Sequence, residues 1–245
     1  MTVFVPKRRR GIELLDDPAA DAELATRSLR DVALANKWFG GTAAVLASLE
    51  PALRAAHQGD DGIGSDPVLT LLDVGTGAGD IPERARALAA QHGIRLDTIG
   101  IDRTLPVARS AAGRAGTVCV ADARSLPFRD HSIDVVTCSQ VLHHFEDHEA
   151  MLLLREMHRV ARRLVIVADL RRSWAAAAGI WASSFPLGFH PVSRHDGVLS
   201  VLRGYRRAEL AALVHAAVGT VPTVRDRIGF RVTAAWAPTK QTGVS

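Results

Sequence analysis

The residues best placed to do chemistry sit in Leu71-Leu72-Asp73-Val74-Gly75-Thr76-Gly77-Ala78-Gly79-Asp80. An apolar run enters a carboxylate there and then meets glycines at alternate positions. Glycine at such a turn puts no Cβ between backbone and ligand and takes φ > 0 at low cost. A helical pattern starts near Ile81, so the unpaired N–H groups of a helix start face whatever binds. Strand, tight turn and helix N-terminus in that order form the place where open α/β sheets bind nucleotide-like ligands. Further apolar segments end in acidic or polar residues at the spacing of successive β-α units. They are Thr98–Asp102, Gly116–Ala123, Ile133–Gln140 (continuing as Val141-Leu142-His143-His144-Phe145) and Arg163–Asp169.

The elements that must position these residues read as strand 69–74, helix 80–92, strand 96–101, helix 105–113, strand 117–120, strand 133–138, helix 148–160 and strand 163–168. The strands are short and continuously apolar, as expected when helices cover both faces of a parallel sheet. Ahead of them, residues 1–12 read as a mobile tail. A helix with Leu24, Leu29, Val32, Leu34 and Ala35 on one stripe follows, broken at Asn36-Lys37-Trp38-Phe39-Gly40-Gly41. A second helix carries Val45, Leu46, Leu49 and Leu53, and Gln58 to Asp66 is a polar, glycine-rich linker. Residues 1–66 are thus an N-terminal tail and helical cap, and 67–245 the nucleotide-fold domain.

Trp174 to Phe189 is nearly uncharged. It is shorter than the ~20 residues of a spanning helix and contains Pro186, so it reads as a helix plus loop. A lid, a core element and a membrane-contact element all fit its apolarity. His195 and Asp196 follow in what reads as a loop, and a helix starts at about Tyr205.

With 245 residues and 47% apolar composition, one α/β domain has ample material for its core. The two cysteines, Cys119 and Cys138, fall inside predicted buried strands. Neither a disulfide scaffold nor a zinc pattern is expected, and a reducing cytoplasm is the default location. The formal charge is +4. Lys7-Arg8-Arg9-Arg10, Arg162-Arg163 and Arg171-Arg172 read as a solvated tail and solvated strand ends. No aromatic residues interleave with them as a base-stacking platform would require, so no nucleic-acid partner is expected. No apolar h-region follows the basic start.

Taken together, DVGTGAGD, Asp102 at the next strand end, ADARSLPF and DVVTCSQVLHHF closely resemble the class I S-adenosylmethionine-dependent methyltransferases. The resemblance spans about Val68 to Asp169. It is greatest to the small-molecule enzymes related to ubiquinone and menaquinone biosynthesis. It implies a Rossmann-like, doubly wound seven-stranded α/β sheet, mostly parallel. A C-terminal antiparallel hairpin would lie near Val221–Ile228 and Phe230–Ala237. It also implies S-adenosyl-L-methionine as cofactor, with S-adenosyl-L-homocysteine as product. Position by position, Asp73, Gly75 and Gly77 would take the amino acid end and Asp102 the ribose hydroxyls. Arg103 would flank the adenine, Asp122 and the Ala123 amide would hydrogen-bond it, and Ser139 and Gln140 would line the site near the sulfonium.

A dinucleotide is the competing ligand, because Asp102 would serve an NAD ribose equally well. The glycine pattern is GxGxG rather than GxGxxG, and Asp73 and Asp80 bracket the turn, which suits a cationic ligand better than a pyrophosphate.

Methyl transfer to a hydroxyl needs an in-line acceptor and a base. Imidazole, with a reference pKa near ~6.5, suits that task. His143 and His144 follow the strand end at Ser139, with His144 the better candidate for packing, and Asp169 ends the next strand, where it could orient one of them. His195, Asp196 and Trp38 are the candidate substrate contacts, the first two within an acceptor segment at about 171–204. No metal is expected. The expected acceptor is a small apolar or aromatic molecule methylated on oxygen, with carbon next. No Asn-Pro-Pro-Tyr signature marks a nitrogen target. An RNA methyltransferase, motivated by the isoelectric point of about 9.7, and a non-catalytic cofactor-binding module are the alternatives. A monomer or homodimer is expected.

Overall fold

The computed structural model describes residues 5–9, 11, 13, 27–28, 30–31, 34–35, 38–58 and 68–238. Helix α1 (Gly41–His57) precedes β1 (Val68–Val74), α2 (Asp80–Gln91), β2 (Arg95–Asp102), α3 (Leu105–Ala111), β3 (Thr117–Val120) and β4 (Ile133–Ser139). A 3-10 turn (Leu142–His144) leads into α4 (Asp147–Val160) and β5 (Ala161–Leu170). The chain closes with α5 (Trp174–Ser183), α6 (Pro191–Arg203), α7 (Arg207–Val218), β6 (Thr223–Arg227) and β7 (Arg231–Trp236).

The strands form one seven-stranded sheet in the order β3-β2-β1-β4-β5-β7-β6. Pairing is parallel from β3 to β5, and β7 runs antiparallel to both β5 and β6. The expected mixed sheet with its terminal hairpin is therefore the observed one. Strand order reverses between β1 and β4, which makes their carboxyl ends the crevice of the fold.

Alternation of side chains along each strand divides the core in two. Leu69, Leu71, Val135 and Ile166 pack with Val45, Leu49 and Leu53 of α1 and with Ile81 and Ala85 of α2. Leu72, Val74, Val136, Val165 and Val167 pack on the other face with Leu153, Leu154 and Met157 of α4 and with Leu210 and Val214 of α7. Both faces are covered, as the unbroken apolar runs require.

Several expectations need correction. Part of the N-terminal stretch read as a mobile tail is a strap seated against the end of α6 and the start of α4. The Arg9 amide donates to the Leu202 carbonyl at 3.1 Å, Arg8 Nε to the Arg203 carbonyl at 2.8 Å and Arg8 Nη2 to the Tyr205 hydroxyl at 2.7 Å. Arg8 also pairs with Asp147. The arginine clusters are likewise not simply solvated. Arg172 is buried, and it donates to the carbonyls of Pro6 (2.8 Å) and Gly204 (2.6 Å) and to Glu209 (2.6 Å). Arg162 and Arg163 both reach the buried Asp134 carboxylate, at 3.0 and 3.3 Å. Cys119 is only half-buried, because β3 is an edge strand, whereas Cys138 on central β4 is fully covered. His195 and Asp196 lie within α6, which His190-Pro191 starts: His190 caps it and Pro191 takes the first turn. Of the first predicted helix, Leu24, Leu29 and Val32 lie outside the described residues, as do Asn36, Arg10 and linker positions 59–66.

Arg172 links the strap, through Pro6, to Gly204 and Glu209 of the domain, so Arg172→Met should lower stability by about 2–3 kcal/mol by leaving two carbonyls and Glu209 without their donor. Urea unfolding of the full chain measures this. A change below about 0.5 kcal/mol, the size of an ordinary surface substitution, would show that the strap is not anchored there.

Candidate functional site

The glycine turn is built as its residue types demand. Gly75 and Gly77 have φ of +72° and +54°. The Gly75 and Thr76 amides both donate to the Ile101 carbonyl at 2.9 Å, which clips the turn to the end of β2. The two glycines differ in surroundings. A Cβ on Gly75 would meet Val141 Cγ2 at 2.3 Å, whereas one on Gly77 would have nothing within 4 Å. Gly75 is needed for packing, and Gly77 faces open space.

Beneath the turn lie polar atoms that the protein does not satisfy. Asp73 is buried, with Oδ1 accepting from the Thr137 hydroxyl at 2.8 Å and Oδ2 without a partner. Burial pushes its carboxyl up to about 7, against the Thr137 hydrogen bond, which lowers it. Thr76 Oγ1 and Ser139 Oγ are also buried without partners. Buried polar groups are normally paired, so three orphans at the carboxyl ends of β1 and β4 mark a ligand's place.

Asp102 ends β2 half-buried, its carboxylate accepting from the Thr104 amide at 3.3 Å. Burial raises its pKa, against amide hydrogen bonds from Thr104, Gly77 and Arg103. Arg103 is exposed beside it. Asp122 is occupied: Arg124 donates to it from Nε at 3.0 Å and Nη2 at 2.8 Å, and holds it below the usual carboxylate range. Ala123 follows in a half-buried turn. Gln140, after β4, has φ +56°, which is uncommon for a non-glycine residue and strained, and its amide donates to the Ala168 carbonyl at 2.8 Å.

The second cluster surrounds Asp169, which is fully buried at the end of β5. Its Oδ1 lies 2.6 Å from His143 Nδ1, and its Oδ2 accepts from the His143 amide at 3.0 Å. Burial alone would raise this carboxyl, but the His143 ring, by charge and hydrogen bond, holds it below its ordinary value. The pairing reverses one expectation: His143 is the buried histidine, and the His144 side chain keeps 30% of its exposure.

Sequence reasoning missed two members of this cluster. Glu13, on the strap, is buried with Oε1 3.8 Å from His143 Nε2 and Oε2 3.8 Å from His144 Nδ1. Arg203, at the end of α6, donates to the carbonyls of His143 (3.0 Å) and His144 (2.7 Å). No local pattern announces either, since the contacts bridge 130 and about 60 positions of chain. Glu13, His143 and His144 bring three potential metal-ligand atoms within 4.8 Å of one another. However, Arg203 Nη1 stands 3.5 Å from Glu13 Oε1 and Ser200 Oγ donates to the same oxygen at 2.7 Å. A guanidinium already supplies the positive charge that a metal would bring, so the cluster reads as an ion-pair network.

The recess beside His143, walled by Arg8, Arg9, Phe145, Glu146 and Arg203, holds only about 10 Å³. His195 lines a separate open groove between α5 and α6, with its Nδ1 3.0 Å from the buried Asp196. Trp38 does not join either cluster. It is 65% exposed, and the next residue, Phe39, accepts from Arg231 Nε at 3.2 Å on β7.

Residues 72–167 match the family model described as a methyltransferase domain. That match covers 96 of the 245 residues, the segment from β1 to β5. A demethylmenaquinone methyltransferase of Roseiflexus castenholzii is 38% identical over 96 residues, covering 37% of each chain. An uncharacterized methyltransferase, YcgJ of Bacillus subtilis, is 37% identical over 100 residues, 38% of this chain and 36% of its own. The chain thus aligns with little more than a third of the length of these curated relatives. Among solved structures, the CurJ carbon methyltransferase superposes with a TM-score of 0.60 at 11% identity, over 92% of this chain and 63% of its own. That likeness is one of fold.

The matched segment holds the glycine turn, Asp73, Asp102 and Ser139, and the chemistry of these residues fits S-adenosylmethionine. The orphaned Asp73 oxygen suits an ammonium donor, and the open space at Gly77 admits close backbone contact. Two outcomes follow. Gly77→Ala should keep the fold, at about 1–2 kcal/mol for left-handed backbone, yet weaken binding of S-adenosylhomocysteine at least tenfold. Gly75→Ala should unfold more readily than Gly77→Ala, and equal melting temperatures would contradict this assignment. Asp73 is the second test. Its folded pKa lies above the unfolded one, so its contribution to stability falls as pH rises from about 4 to about 7 and levels off beyond. Asp73→Asn should flatten that part of the ligand-free stability profile, and an unchanged slope would contradict the buried, proton-holding carboxyl.

Proposed function

We propose that this chain is an S-adenosylmethionine-dependent methyltransferase acting on the hydroxyl of a small apolar or aromatic molecule. The observation that carries the reading is the conjunction of an orphaned, buried polar set under the glycine turn with a buried His143–Asp169 pair two strand ends away. When bound, the cofactor supplies an electrophilic methyl group on a sulfonium leaving group. Asp73, Gly75, Gly77, Asp102, Arg103, Asp122, Ala123, Ser139 and Gln140 are the proposed residues around it. Asp122 would have to share its carboxylate with Arg124.

His143 is the proposed base. An Nδ1–H donated to Asp169 fixes the tautomer and leaves the Nε2 lone pair to take the hydroxyl proton. The ionised Asp169 then stabilises the imidazolium. His144 lies beside His143, with ring centroids 4.3 Å apart and the planes tilted by 32°, and is the proposed neighbour of the acceptor. Because Glu13 covers Nε2 and the recess is small, the strap must lift as an acceptor enters. Residues 171–204 are the proposed acceptor segment, with His195 and Asp196 as its polar contacts. Residues 1–66 act as a cap over domain 67–245. Trp38 remains only a candidate for the rim.

Pairing of Arg8, Arg162, Arg163, Arg171 and Arg172 with carboxylates favours a small-molecule acceptor over RNA, since a phosphate-binding face would leave those cations available. No helix among the described residues is long and apolar enough to cross a membrane.

The test is transfer of a labelled methyl group to a panel of phenols and hydroxyquinones, with the product position read by mass spectrometry. We expect an O-methyl product and a fall in kcat of about 10²–10⁴-fold in His143→Gln, with KM for the cofactor unchanged. A His143→Gln enzyme of undiminished kcat would leave the His–Asp pair a purely structural anchor of the 3-10 turn.

A further inference from the structure

The groove between α5, α6 and the strap has a volume of about 330 Å³, within the range of small-molecule sites. Its walls combine two kinds of surface. Trp181, Leu199 and Leu202 supply an apolar floor, and Arg9, Arg194 and His195 supply positive or titratable edges. None of the described residues lining it is acidic.

Arg194 is held as a binding group would be. Its guanidinium lies over the Phe185 ring, 3.7 Å from the centroid, and its Nε donates to Ser184 Oγ at 2.7 Å. Neither terminal nitrogen has a protein partner among the described residues. The contrast with Arg8, Arg124, Arg159 and Arg172, each tied to a carboxylate, is direct. A planar guanidinium fixed by stacking presents its two terminal N–H groups as a fork matched to an oxyanion, and little side-chain freedom is left to lose on binding. Arg9 gives the groove its second cation and also walls the recess at His143. An elongated ligand anchored at Arg194 would therefore run along Leu199 and Leu202 toward the proposed base.

We propose that this groove binds the acceptor through an oxyanion, so that the substrate is an apolar or aromatic hydroxy compound carrying a carboxylate or phosphate group, with Arg194 as the specificity-determining residue. The proposal rests on the methyltransferase reading above for what happens to the ligand, but not for the groove's charge preference.

The experiment is isothermal titration of the full chain, with and without saturating S-adenosylhomocysteine, using four probes that share a naphthalene body: 2-naphthoate, 2-naphthyl phosphate, 2-naphthylmethanol and 2-naphthylmethylammonium. We expect one of the two anions to bind at least tenfold more tightly than the alcohol, and the ammonium to bind most weakly. The tighter anion identifies the group as carboxylate or phosphate. Arg194→Gln should reduce the advantage over the alcohol to less than threefold while leaving alcohol and S-adenosylhomocysteine affinities unchanged. Arg194→Lys should retain part of it, and this second variant keeps the test valid if the glutamine variant folds poorly. Equal binding of anion and alcohol, tightest binding of the ammonium, or an anion preference that survives Arg194→Gln overturns the proposal. Anion binding without any S-adenosylhomocysteine binding would leave the groove assignment standing and remove the methyltransferase reading instead.

Discussion

A carboxylate with no exposure to water must be answered by hydrogen bonds, and Asp169 organises this end of the molecule through that requirement. It accepts from the His143 ring, the His143 amide and the Leu170 amide. Three donors on one buried group fix the 3-10 turn after β4 against the end of β5. Arg203 then binds the carbonyls that this turn leaves exposed, which sets the end of α6. Glu13 completes the shell from the strap. Loss of Asp169 would release all of these together. The cluster is a single unit in which the orientation of the candidate base and the position of the acceptor segment are coupled.

The strap shows the same economy of charge. Its Arg8 and Glu13, and the domain's Arg172 that holds it at Pro6, are buried or half-buried, and each is matched by carbonyls or opposite charges. The described residues of that segment are held to the domain by polar contacts. Segments of that kind open at lower free energy than a core element. That property reconciles a buried His143 with a role in chemistry.

The central sheet was readable because each strand is an unbroken apolar run bounded by turn chemistry. Leu71-Leu72 entering Asp73 and Gly75 left one sensible arrangement, and the predicted strand ends lie within two residues of the observed ones. The pairing of His143 with Asp169 could be anticipated because consecutive parallel strands bring their carboxyl ends together. Which histidine turns inward could not, since a 3-10 turn after a strand has no periodicity to read. Glu13 and Arg203 were invisible for a related reason: they meet the site through tertiary contacts between distant segments. The basic clusters misled because a run of arginines looks solvated until its carbonyl and carboxylate partners are known. His195 and Asp196 were misplaced because the helix signal at His190-Pro191 was overlooked beside an apolar, glycine-containing stretch.

The claim on which the rest depends is that the crevice between β1 and β4 holds a sulfur-bearing nucleoside. Calorimetric titration of the intact chain with S-adenosylhomocysteine, with NAD run in parallel, tests it most directly. The expected result is saturable one-to-one binding of S-adenosylhomocysteine, weakened at least tenfold by Asp102→Asn, and no binding of NAD at the same concentrations. Binding of NAD without S-adenosylhomocysteine would contradict it and make the crevice a dinucleotide site.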